Sequence, residues 1–75
     1  MGYTDFLTAW RDGTDPELAA LKLGGVKAIR AKTGLSQRAF AERYGIPRRS
    51  IENWETKTEI SEYTLALIAF AVLSK

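Results

Sequence analysis

Two adjacent arginines, Arg48 and Arg49, are the residues in this sequence best placed for chemistry, and they follow a Gly-Ile-Pro break. Arginine carries a planar fork of N–H donors that suits flat or anionic acceptors. Both arginines lie at the predicted start of a helix, where the macrodipole favours acids and disfavours bases. Either a negatively charged partner or a local acid must therefore explain them, and Glu52 is available to Arg48 at i, i+4.

The absence of cysteine and histidine limits the kinds of catalytic and metal-binding site that this chain can form. The chain contains no Cys and no His, which excludes disulfides, thiolate zinc sites, imidazole bases and triads that depend on His. We therefore expect no enzyme, no catalytic or metal-binding residues and no cofactor. The longest apolar run, residues 65–73, is nine residues long, against about twenty for a membrane span. We expect a soluble cytoplasmic protein with no membrane partner.

The charges are unevenly distributed along the chain, although the formal net charge is only +2. Residues 27–57 hold eight bases and three acids, which gives this segment a charge of +5, and the flanking segments are mildly acidic. A basic centre of this kind suits a polyanionic partner, although a charge cluster can equally be a solvated surface.

The apolar spacing predicts an all-α fold, a compact bundle of five or six short helices in one domain over residues 1–75. Residues 1–25 form an N-terminal helical extension, in which Asp15 and the following proline begin a helix. The pair Gly24-Gly25 leaves open whether that helix is kinked or divided. Residues 61–74 form a C-terminal helix.

Residues 36–56 combine two short helices with a constrained turn. Counted from Gln37, apolar residues stand at the fourth, eighth, fifteenth and eighteenth positions, with alanine at the fifth and glycine at the ninth: Phe40, Tyr44, Ile51, Trp54, Ala41 and Gly45. The alanine lets the helices cross closely, the glycine takes the positive φ of the turn, and Phe40, Ile51 and Trp54 fill the wedge. This pattern resembles the helix-turn-helix of the phage repressor and Cro family, also called the xenobiotic-response-element family, over about residues 26–70.

The resemblance implies a lambda-repressor-like fold that binds double-stranded DNA, with the second motif helix reading the major groove. On a helical projection, Ile51 and Trp54 lie on one side, and Arg48, Arg49, Glu52 and Asn53 lie on the opposite side. We therefore expect the arginines to bind guanine O6 and N7 and the asparagine to bind adenine N6 and N7.

The resemblance also implies contacts to the DNA backbone. Gln37, at the first position of the first motif helix, matches a residue that contacts phosphate and braces the recognition helix in relatives. We expect Arg38, Thr56 and Lys57 to contact phosphates as well. Ordinary solvated polar residues are the alternative for these positions.

Arg30 and Glu55 correspond to a structural salt bridge in relatives. It joins the helix before the motif to the end of the recognition helix, and its main use would be to fix the angle at which that helix is presented. The sequence does not separate this role from a phosphate contact by Arg30.

The C-terminal helix carries two apolar stripes on roughly opposite sides. One consists of Leu65, Ile68 and Val72, and the other of Tyr63, Leu67 and Phe70. A domain this small hardly covers both, so we expect a homodimer with the second stripe as its interface. The alternative is that the N-terminal helix covers this stripe within the same chain, through Tyr3, Phe6, Leu7 and Trp10.

These observations predict a sequence-specific DNA-binding transcriptional regulator, of the repressor type, that binds as a homodimer. Two alternatives stay open. One is the antitoxin of a toxin and antitoxin pair, which requires a protein partner. The other is an adaptor with a helix-turn-helix fold that binds protein and no DNA.

Overall fold

The computed structural model describes residues 2–57 and 59–74. Within these ranges the chain forms five helices and no strand, which confirms the all-α fold. None of these helices is long and apolar enough to cross a membrane. The helices are α1 (Tyr3–Asp12), α2 (Pro16–Thr33), α3 (Gln37–Tyr44), α4 (Arg48–Lys57) and α5 (Glu62–Leu73).

Short polar side chains cap the start of α2, α3 and α5. The side-chain oxygens of Asp15, Ser36 and Ser61 accept hydrogen bonds from first-turn backbone N–H groups at 2.9, 3.1 and 3.2 Å. Each cap satisfies a donor that has no partner inside the helix. The starts of these three helices are therefore encoded locally.

The two glycines within α2 produce a sharp break. Gly25 has φ 73° and ψ −158°, a combination that is essentially restricted to glycine. A Cβ atom on Gly24 would lie 2.5 Å from the Cβ of Ala28, which is too close for a real contact. The sequence left open whether this helix is kinked or divided, and the structure shows two helical segments that meet at Gly25.

The turn between α3 and α4 has the geometry that the motif requires. Gly45 has φ 66°, and its N–H and that of Ile46 both donate to the carbonyl of Ala41. Phe40 and Ile51 are fully buried where the two helices meet. The short side chain of Ala41 is also buried and allows the close crossing.

Trp54 departs from the prediction that it fills the same wedge. It is only half-buried and packs against the edge of the core. It lines a shallow apolar groove between the helix-turn-helix and α5, here called the α5 groove, with Tyr44, Ile46, Thr64, Leu67, Ile68 and Ala71. From α5, two short side chains, Thr64 and Ala71, and two larger ones, Leu67 and Ile68, line it.

One apolar core joins all five helices. Its fully or nearly fully buried members are Phe6, Trp10, Leu18, Leu21, Val26, Ile29, Phe40, Ala41, Ile51, Leu65, Ala66, Ile68, Ala69 and Val72. Among these, α4 contributes Ile51. Polar contacts to neighbouring helices therefore matter for the position of α4.

Helix α1 packs against part of the α5 stripe that was expected to form the dimer interface. The ring of Phe70 lies 5.1 Å from that of Tyr3 and 5.3 Å from that of Phe6, both in edge-on geometry. Phe70 thus packs against α1 within its own chain and is partly buried. Tyr63 and Leu67 remain 66% and 39% exposed. The N-terminal helix therefore covers Phe70 in part and leaves much of Tyr63 and Leu67 exposed.

Candidate nucleic-acid interface

The exposed face of α4 carries the three residues that the sequence predicted to read bases. Arg48, Arg49 and Asn53 are all exposed, while Ile51 on the opposite side is fully buried. Because Ile51 anchors the helix to the core, the polar face is turned to solvent as the helical projection requires. All three side chains are therefore open to solvent on α4.

The start of α4 is strongly positive. The N–H groups of Ser50 and Ile51 donate to the carbonyl of Pro47 at 3.0 and 3.4 Å, so the helix begins directly after the proline. Its first turn contains no acidic residue and includes Arg48 and Arg49. The positive end of the macrodipole and two guanidinium groups thus share one site, which suits an anionic partner.

Arg48 also has a local partner, as the alternative interpretation proposed. Its Nε lies 3.3 Å from Oε2 of Glu52, and the two side chains are 57% and 50% exposed. An exposed i, i+4 pair of this kind contributes only about 0.3–0.5 kcal/mol. Arg49 and Asn53 make no side-chain hydrogen bond or ion pair within residues 2–57 and 59–74. Their donors and acceptors are available to a ligand.

A partly buried polar network holds the other end of α4. Arg30 donates from Nε to Oε2 of Glu55 at 2.7 Å and from a terminal nitrogen to Oε1 at 3.1 Å. It also donates to the carbonyl of Leu35 at 2.9 Å. Gln37 donates from Nε2 to Oε1 of Glu55 at 3.1 Å. The expected Arg30–Glu55 bridge is therefore present, and it links α2, α3 and α4.

The network shifts the pKa values of both charged members. The hydrogen bond from Arg30 lowers the pKa of Glu55, against the opposing effect of desolvation, and the hydrogen bond from Gln37 lowers it further. The same hydrogen bond raises the pKa of Arg30. Both groups are therefore charged at neutral pH, and the pair is bidentate, the geometry in which an Arg–carboxylate contact is strongest.

The predicted phosphate contacts lie at the start of α3 and the end of α4. Arg38 and Thr56 are exposed, as is Lys57, and Gln37 is half-buried by its bond to Glu55. That bond brings the start of α3 beside the end of α4, so the four residues border one region. Arg38 lies 3.5 Å from Glu42 in another exposed i, i+4 pair.

The resemblance implied that Gln37 braces the recognition helix, but sequence reasoning missed that its partner is Glu55 and that the Leu35 carbonyl joins the network. Gln37 and Glu55 are eighteen residues apart, so no helical spacing relates them. The available signal was the expected Arg30–Glu55 bridge, whose carboxylate has acceptor capacity beyond one guanidinium.

Comparisons with known proteins agree with this geometry. A family model described as helix-turn-helix matches residues 26–69, which include the second segment of α2, all of α3 and α4, and most of α5. Helix α1 lies outside the match. Comparison with curated proteins and with solved structures found no match to this chain. The family match covers more than half of the chain, which therefore belongs to the helix-turn-helix family of the Cro and C1 type, a family of DNA-binding regulatory domains.

Proposed function

We propose that this protein is a transcriptional repressor that binds double-stranded DNA at a specific sequence by inserting α4 into the major groove. The observation that carries the proposal is the arrangement of α4. Its exposed face presents Arg49 and Asn53 without protein partners within the described residues, while Ile51 and the Arg30–Glu55 network hold its other face.

The exposed side chains match the edges of base pairs in the major groove. Arg48 and Arg49 provide the forked donors that pair with O6 and N7 of guanine, and Asn53 provides the donor and acceptor that pair with adenine. The weak Arg48–Glu52 pair opens at little cost. The proposed readout therefore requires no rearrangement of the helix.

Backbone contacts would place α4 in register. Gln37 has a second N–H on its amide nitrogen after bonding Glu55, and Arg38, Thr56 and Lys57 border the same region. Of these, Arg38 and Lys57 are charged and would displace counterions. Phosphate contacts at both ends of the motif fix its orientation on the duplex without adding sequence information.

Selection of bound sites from a random DNA library tests the proposal directly. We expect one preferred sequence, and we expect Arg49→Ala to weaken binding to it by about 1–3 kcal/mol and to relax preference at one base pair per half-site. The matched control is Arg11→Ala, which removes the same charge from an exposed position on α1 outside the family match.

Two results would contradict this account. If Arg49→Ala weakens binding to every sequence equally, Arg49 contacts phosphate only and the readout assignment is wrong. If the folded wild type binds no DNA at moderate salt, the adaptor alternative replaces the repressor. A reporter gene placed behind the selected site distinguishes repression from activation.

We propose further that the protein binds as a homodimer through α5. Tyr63, Leu67 and Ala71 follow one another at i, i+4 and i+8 and are all exposed, and the last two line the α5 groove. A second copy related by a two-fold axis would cover this apolar stripe. We leave Phe70 out of the proposed interface, because its ring already packs against Tyr3 and Phe6 of α1.

Sedimentation equilibrium at tens of micromolar protein tests the dimer. We expect Leu67→Glu to be monomeric, whereas Leu23→Glu, at a position that is 92% exposed on α2, stays dimeric. Four charged phosphate contacts per dimer predict a slope of about −4 for log affinity against log salt, and the monomeric variant should halve it. A wild-type monomer that protects one half-site would contradict the dimer.

In the antitoxin alternative, the α5 groove is the binding site for a toxin. It predicts that a neighbouring gene encodes a toxic protein that co-purifies with this chain. Loss of that complex in Leu67→Glu, with no change in the oligomeric state of the free protein, would favour this alternative over the homodimer.

A further inference from the structure

We propose that Glu52 determines sequence specificity by accepting a hydrogen bond from the N4 amino group of a cytosine in the major groove. The inference rests on the proposed function of α4 as the recognition helix. It assigns a base-reading role to an acid, in a segment whose other candidate contacts are basic or neutral.

The other two acids of the basic segment, residues 27–57, have structural partners away from the face of α4. Glu55 is held by Arg30, and its side chain is 7% exposed. Glu42 lies on α3 and pairs with Arg38. Glu52 is the acid of this segment that stands on the exposed face of α4.

The helical projection places Glu52 among the proposed base readers. Arg49 and Asn53 each point about 160° away from Ile51; relative to Arg49, Glu52 lies about 60° to one side and Asn53 about 40° to the other. If α4 enters the major groove with Arg49 foremost, the carboxylate of Glu52 faces base edges together with the amide of Asn53. It then enters a groove between phosphates, where an unpaired negative charge is unfavourable.

Base chemistry decides which edge can accept this carboxylate. An ionised carboxylate only accepts hydrogen bonds. In the major groove cytosine offers the N4 donor, guanine offers two acceptors, and thymine offers an acceptor and a methyl group. Adenine offers a donor beside an acceptor, which repels the second carboxylate oxygen. Glu52 therefore favours cytosine, and it disfavours guanine and thymine most strongly.

The pair with Arg48 prepares Glu52 for this contact. Arg48 Nε lies 3.3 Å from Oε2 of Glu52, and the Glu52 side chain is 50% exposed. The pair restrains the carboxylate, which can accept more hydrogen bonds than one arginine N–H supplies and so has acceptor capacity left for cytosine. Because side chains four residues apart are about 6 Å apart along the helix axis, the two would reach neighbouring base pairs.

The test compares Glu52→Gln with Glu42→Gln. Both substitutions remove one negative charge from an exposed i, i+4 pair with arginine, and neither residue is buried. Affinity is measured for the selected site and for all its single-base variants. We expect the wild type to prefer cytosine over thymine at one base pair per half-site by about tenfold or more. Glu52→Gln should reduce this preference to about twofold, because an amide donates as well as accepts. Glu42→Gln should leave it unchanged.

The outcomes separate this inference from the proposed function. If Glu52→Gln raises affinity for all variants equally and keeps every base preference, Glu52 only repels phosphates and the inference is wrong, while the proposed function stands. The same conclusion follows if no position of the selected site prefers cytosine. If the folded wild type selects no site, the proposed function fails and the inference fails with it.

Discussion

Nε of Arg30 donates to Oε2 of Glu55 across 2.7 Å and so joins the second segment of α2 to the end of α4. Gln37 adds a third helix to the contact by donating to the other carboxylate oxygen at 3.1 Å. At the start of α4 the buried Ile51 supplies the anchor. The helix is therefore held by an apolar contact near its start and a charged contact near its end, and its exposed face is presented at a defined angle.

Glu55→Gln should destabilise the protein, because it removes the charge that compensates the partly buried Arg30 guanidinium. We expect the free energy of unfolding to fall by about 1–3 kcal/mol, less than for a fully buried pair because the Arg30 side chain is 21% exposed. Urea denaturation measures the change. Glu42→Gln, in an exposed pair, should cost less than about 0.5 kcal/mol, and equal losses would contradict a structural role for Glu55.

The same pair makes stability depend on pH. The pKa of Glu55 lies below its ordinary value of 4.5, mainly because of the hydrogen bond from Arg30. As pH falls, the unfolded chain takes up this proton before the folded one, so the stabilisation is fully present above about pH 5 and is lost below it. Stability should therefore fall more steeply on acidification for the wild type than for Glu55→Gln.

Parallel stability curves for the two proteins between pH 7 and acid would contradict this pH dependence. Glu62 is a second source of pH-dependent stability, because the hydrogen bond from Lys22 lowers its pKa as well. That contribution is the same in both proteins, so it cancels in the comparison.

Trp54→Ala should reduce the free energy of unfolding less than a substitution at the buried contact between α3 and α4. Trp54 is half-buried beside the α5 groove, whereas Phe40 is fully buried. We expect a loss of about 1–3 kcal/mol for Trp54→Ala and about 3–5 kcal/mol for Phe40→Ala, measured as free energies of unfolding. If Trp54→Ala costs as much as Phe40→Ala, the groove is closed in solution.

Helix α1 should be an integral part of the domain, although it lies outside the family match. Phe6 is buried and contacts the rings of Trp10 and Phe70, so Phe6→Ala should reduce the free energy of unfolding by about 3–5 kcal/mol. Leu23→Ala, at an exposed position, should change it by less than about 0.5 kcal/mol. We also expect the unfolding of Phe6→Ala to remain one cooperative transition, with the same midpoint for every spectroscopic probe. Normal stability of Phe6→Ala would show that α1 is not docked.

Local signals in the sequence account for much of the fold. Asp15, Ser36 and Ser61 start helices because a cap acts on backbone groups two or three residues away. Gly45 turns the chain because few other residues adopt positive φ without strain. The exposed position of Arg49 opposite Ile51 follows from the helical period alone. These features depend on residues within a turn or two, so the sequence alone was sufficient to predict them.

Gly25, Phe70, Trp54 and Gln37 show what required the tertiary structure. Two adjacent glycines permit either a kink or a division of the helix, and the packing of both segments on the core selected the break at Gly25. Phe70 belongs to an apolar stripe that a second chain or α1 could cover, and the docking of Tyr3 and Phe6 decided in favour of α1. The exposure of Trp54 and the bond from Gln37 to Glu55 depend on where α5 and α3 lie. Helical periodicity determines which face a residue occupies, whereas the choice of neighbour for that face depends on distances between segments far apart in the chain, and those are settled only when all five helices pack together.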